Sequence, residues 1–123
     1  MTTMIQDKDG VIAAVPSTKP SDRHFRNAWV FDSSQSAITE DITEAKVIFK
    51  DKIREVRGPL LEAEDVVYMK ALEADDASAK TASVAKKKKL RDAPAASAIT
   101  NADTIDKLKA AWDEDVLGTS PYK

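Results

Sequence analysis

The chain has no cysteine, three glycines and one histidine in 123 residues. Without cysteine there is no disulfide, no thiolate nucleophile and no cysteine-based zinc site, a usage that fits a reducing compartment. Three glycines leave nothing for a phosphate-cradling loop, and the one Gly-Pro pair, Gly58-Pro59, reads as a helix breaker. No apolar run approaches the ~18 residues of a membrane span. The first ten residues lack the charged-then-apolar pattern of a secretory signal. Charge of one sign is scarce too: 19 basic residues against 21 acidic leave a net of −2, so no general basic surplus marks the chain for nucleic acid.

What is present is charge, at 33%, and alanine, 19 residues by count. Alanine favours helix but buries little area. Leu, Ile, Val and Phe total 26 of 123, about 21%, close to the level at which charge-dense chains stay disordered. The lopsided composition predicts a thin-cored helical protein that leans on partners, and it is a poor start for an enzyme pocket. His24 lies near Ser21, Ser33, Ser34 and Ser36 without the spacing of a nucleophile elbow, so it reads as a surface or packing residue. The carboxylate groups Glu62/Glu64/Asp65, Asp75/Asp76 and Asp113/Glu114/Asp115 fall on wet faces and caps. No catalytic residue, cofactor or metal is expected.

Three grammars follow one another along the chain. Residues 1–40 hold two β-like runs, Val11–Val15 and Ala28–Phe31, each bounded by turn formers, and predict an extended arm with a small two-stranded element. Residues 41–112 switch to helical spacing. Asp41-Ile-Thr-Glu44 reads as a capping box, and Ile42, Ala45, Phe49, Ile53, Val56 and Leu60 recur at intervals of three and four. Gly58-Pro59 should interrupt the ladder, since Pro59 has no N–H for the carbonyl of Glu55, and two helices over about 41–57 and 59–75 are expected to meet there. A third helix, 77–90, follows an Asp75-Asp76 cap, and a last one carries Ile105, Leu108 and Trp112. Residues 113–123 look like a tail. The expected fold is mainly α, an N-terminal arm followed by helical hairpins from about four helices.

Three groups of residues stand out as candidate contact sites. The aromatic cluster Phe25, Trp29 and Phe31 with Arg26 is either local core or an anchor onto another protein, because Trp, Phe and Arg recur at interface hot spots. Ile42, Phe49, Ile53, Val56, Leu60 and Val67 form a helical seam that packs within the chain or between identical copies; its spacing is compatible with a trimer without requiring one. Lys86, Lys87, Lys88 and Lys89 are the sharpest charge feature. They suit a nucleic-acid backbone or, equally, the negative C-terminal end of a helix.

The order Ser21-Asp-Arg-His-Phe-Arg-Asn-Ala-Trp29, a capped helix, Arg57-Gly-Pro-Leu-Leu-Glu62, Asp65-Val-Val-Tyr-Met-Lys-Ala-Leu72, Lys89-Leu-Arg-Asp-Ala-Pro94 and Leu108-Lys-Ala-Ala-Trp112 resembles a group of small bacteriophage tail proteins. These are tail-fibre proteins or tail-fibre assembly chaperones, and the resemblance covers about residues 20–112. It implies a non-enzymatic component of the tail fibre or baseplate region, without cofactor. It further implies other tail proteins as partners, a homo-oligomeric state, and a location in the virion tail after assembly in the host cytoplasm. The alternatives are a chaperone absent from the finished particle and, from another class, a small nucleic-acid-binding regulator using Lys86–Lys89. No membrane contact is expected.

Overall fold

A computed structural model describes residues 3–122. Both β-like runs are strands, but they do not pair with each other. β1 (Met4–Gln6) pairs antiparallel with β2 (Ile12–Ala14), and β3 (Trp29–Phe31) with β4 (Ile38–Glu40). The arm therefore holds two hairpins where the sequence pattern predicts one two-stranded element. Neither is self-supporting at three residues per strand. Asp7 joins them. Its Oδ1 accepts the backbone N–H groups of Asp9 and Val11, both at 2.9 Å, and its Oδ2 accepts that of Phe31 at 3.0 Å. The Phe31 bond is the main cause that holds this buried carboxyl below its usual range.

α1 spans Ile42–Glu73 as one helix of 32 residues. Asp41 caps it, accepting from the backbone of Thr43 at 2.9 Å and Glu44 at 3.4 Å. The corner expected at Gly58-Pro59 does not form; Pro59 lies inside the helix. An interior proline costs ~3 kcal/mol, so the helix must be held on both sides of it. Phe49 and Ile53 are buried below, and Glu64 and Ala71 above. Gly58 eases the passage, because a residue before proline is pushed out of helical geometry partly by its Cβ, which glycine lacks. Glu55 is exposed, so water can reach its orphaned carbonyl.

α2 (Ala77–Asp92) folds back antiparallel along α1, with Arg57 beside Leu90 and Arg91 at one end and Asp75 beside Lys80 at the other. The turn is tight. Asp75 stands in the left-handed region at φ 51°, its N–H bonds Leu72 O and that of Asp76 bonds Ala71 O, the double closure of a Schellman motif. Asp76 then caps α2 by accepting from Ala79 N at 3.0 Å, as the acidic pair suggests. Arg57 donates to Arg91 O at 2.8 Å and so satisfies a carbonyl at the far end of α2.

The remainder is short: α3 (Ser97–Thr100), α4 (Ile105–Ala110) and α5 (Glu114–Leu117), with 3-10 turns at Arg26–Ala28 and Ala93–Ala95. The fold is mainly α behind an N-terminal β arm. The three grammars of the sequence are not three packing units. Phe25 and Ala28 from the arm, and Leu117 and Tyr122 from the expected tail, share one core with α1, Leu108 and Trp112. Met1, Thr2 and Lys123 of those spans lie outside the described residues.

Candidate interaction surface

The aromatic cluster of the sequence divides into two. Phe25, fully buried, joins the helical core; Trp29 and Phe31 pack with Ile38 in a separate small cluster under Ile5 and Ala13. Arg26 closes the Trp29 ring from outside, its guanidinium 4.7 Å from the ring centroid, and donates to Gln6 O at 2.8 Å. Arg23 lies 5.5 Å from the same ring. All three rings are covered by this chain itself, so the folded surface offers none of them as an exposed anchor. The residues that cover Phe25 come from far along the sequence. Tyr122 stacks on Phe25 at 5.1 Å and on Phe49 at 5.3 Å, and Trp112 meets Phe49 edge-on at 5.9 Å. His24, on the surface, contacts the Tyr122 ring at 5.2 Å.

Tyr122 was not legible as a site residue, though a tyrosine after proline in an otherwise polar ending is the signal that marks it. Burial pushes its phenol up to about 12. Gly118, at φ +83°, turns the chain back after α5 and presents its carbonyl to the Trp112 indole N–H at 3.0 Å. A Lys109–Asp22 bond of 2.7 Å ties the arm to α4. That lysine holds the Asp22 carboxyl below its usual range. Beside it, burial raises the Glu40 carboxyl, and the Asp22 charge adds to the effect.

The helical seam divides at Pro59. Phe49 and Ile53 are in the core, with Ile42 and Val56 packed at its edge. Leu60 and Val67 are 37% and 47% exposed. The reason is periodicity. A strict three-four repeat drifts about 20° per seven residues round a straight helix, and α2 lies toward Leu61, Glu64, Tyr68 and Ala71 instead. The apolar residues of the core end at Leu61 on α1 and resume at Leu90 on α2. Between them the two helices meet through polar and small groups. Ser83 donates to Glu64 O at 3.4 Å, Lys87 pairs with Asp65 at 2.6 Å and lies over the Tyr68 ring at 4.7 Å, and Lys86 pairs with Glu64 at 3.5 Å. The larger apolar side chains of this hairpin are outside: Leu60, Val66, Val67, Met69, Leu72 and Val84.

The lysine run is therefore partly committed. Lys86 and Lys87 bind the acids of α1, and Lys88 pairs with Asp92 one turn on. Lys89 has no ion-pair partner among the described residues. It lines a cleft of about 620 Å³ floored by Ala93, Ala96 and Ala111. No three His, Cys, Asp or Glu side chains converge as a metal would require among the described residues, and no described helix is long and apolar enough to cross a membrane. No protein family, curated protein or solved structure matches the chain.

Proposed function

We propose that this protein is a non-enzymatic contact component of a bacteriophage tail, a structural part of the tail-fibre or baseplate region. The observation that carries the contact reading is the hairpin of α1 and α2 beyond Pro59, where the helices meet through polar and small groups while Leu60, Val66, Val67, Met69, Leu72 and Val84 stay exposed among charged residues. Large apolar side chains left exposed together on one element mark an interaction site. The phage assignment is supported by the motif order of residues 20–112. Mass spectrometry of purified virions tests it: peptides of this chain should be recovered from the particle. Their absence would sink the structural version and leave the assembly chaperone, which would use the same hairpin and depart. The nucleic-acid regulator is disfavoured by the carboxylates that already hold Lys86, Lys87 and Lys88. Filter binding at two salt concentrations should show no salt-dependent retention.

A further inference from the structure

The two clusters of bases in this chain are treated differently by the fold. In the lysine run, Lys86, Lys87 and Lys88 each hold a carboxylate. On the arm, Lys19, Arg23 and Arg26 line one pocket of about 280 Å³, and no acid lines it with them. Among the described residues none of these three bases has an ion-pair partner. The acid next to them in sequence, Asp22, is taken by Lys109 at 2.7 Å.

The arm holds the charges in place. Both guanidiniums lie against the Trp29 ring, that of Arg26 at 4.7 Å from its centre and that of Arg23 at 5.5 Å, and Arg26 is further fixed by its 2.8 Å bond to Gln6 O. Two cations against one ring repel each other, and the ring's negative face offsets only part of that. Each guanidinium has five N–H donors, so donors remain free on both. The rest of the wall is apolar: Ile5 and Val15 line it, as does Met4, which is 56% exposed.

We propose that this pocket binds an acidic segment of a partner protein. A carboxylate sits among Lys19, Arg23 and Arg26, where an arginine fork can grip it through two parallel bonds. A neighbouring aliphatic side chain of the same segment packs on Met4, Ile5 and Val15. Two observations favour a peptide over a nucleic acid. Trp29 is 2% exposed beneath the guanidiniums, so it cannot stack on a base. Beyond Arg26 the adjoining cleft is lined by Asp7, Lys8 and Glu44, where a run of phosphates would meet carboxylates. The inference goes beyond the contact reading of the α1–α2 hairpin by placing a second contact on the arm. Binding by the isolated chain decides it, whatever the virions contain.

A fluorescent peptide of alternating leucine and glutamate, titrated with the full chain and followed by anisotropy, should bind saturably at low salt and more weakly at high salt. The same peptide with glutamine in place of glutamate should not bind. Arg23→Gln should weaken binding roughly tenfold, the loss of one charge-assisted contact. Lys19→Glu combined with Arg23→Glu should abolish it. Both side chains are exposed, so the circular dichroism spectrum should not change. No saturable binding of the glutamate peptide overturns the proposal, as does equal binding of the glutamine peptide or indifference to the double reversal. Displacement of the peptide by an equal concentration of inorganic phosphate or of oligothymidylate overturns it too, in favour of a general anion site or a nucleic-acid site.

Discussion

The two ends of α1 are built on opposite terms. Around Phe49 and Ile53 the helix is covered by segments from the whole chain: Phe25 from the arm, Trp112 after α4, and Tyr122 from the last residues. Beyond Pro59 it is covered on one side by α2 alone, across an interface of Glu64, Ser83, Tyr68 and Lys87, and its valines and Met69 face solvent. The first end satisfies itself. The second leaves apolar area uncovered while burying a carboxylate, an arrangement a solitary hairpin gains nothing from. The lesson is that a thin average composition conceals one well-filled core and one hairpin whose larger apolar side chains stay exposed.

Substitutions on the same helix break this comparison if it is wrong. Phe49→Ala should have the largest effect, ~3–5 kcal/mol by the cost of emptying a buried aromatic site, measured by denaturant unfolding. Val67→Ala, about five turns farther along and 47% exposed, should cost under about 1 kcal/mol in the dilute chain. Equal losses at the two positions would remove the distinction between a closed and an open end.

Asp7→Ala should come next. It strips acceptors from three backbone N–H groups at once and separates the two β-hairpins. A lower melting point is expected with the helical spectrum of the hairpin retained. The pH dependence has a fixed sign. The carboxyl titrates below its unfolded value of 3.8 in the folded chain, so its contribution is complete above that value and is lost as pH falls through the lower, folded pKa. The melting point of the native chain should fall in that acid range more steeply than that of Asp7→Ala.

Much of this was legible before any coordinates. The caps at Asp41 and Asp76, the extent of α2 and the burial of Phe49 and Ile53 follow from local spacing and orphan backbone groups, which act over a few residues. The continuity of α1 through Pro59 did not, because the local rule states a cost and only the packing on either side offsets it. The split of Phe25 from Trp29 and Phe31 was hidden for a related reason: Tyr122 and Trp112, which claim Phe25, lie more than eighty residues away. Asp7 carries no local signal, since nothing adjacent in sequence announces that the Phe31 N–H would need its oxygen. The exposed flank of the hairpin was half legible, its stripe visible and its orientation set only by where α2 came to rest.

Two smaller effects sharpen the contrast at its extremes. At the closed end, burial lifts the Tyr122 phenol to about 12. The neutral form is favoured on folding, so the stabilisation is complete below the ordinary tyrosine value of about 10 and lost as pH rises toward 12. Tyr122→Phe keeps the rings stacked and should flatten the alkaline fall in melting point relative to the native chain; the ring is only partly buried, which keeps this difference modest. At the hairpin tip, Asp75 occupies left-handed backbone at φ 51°, which costs an L-residue ~1–2 kcal/mol. Asp75→Gly removes that strain but gives back ~0.4–1 kcal/mol through the freer unfolded chain. The Lys80–Asp75 pair it deletes, at 3.5 Å with the carboxylate 96% exposed, contributes little. The net expectation is a gain of ~0.5–1 kcal/mol in thermal unfolding, the smallest change of the series and the only stabilising one. A loss instead would mean that the Asp75 carboxylate holds the turn, and that the tip is less open to solvent than its exposure indicates.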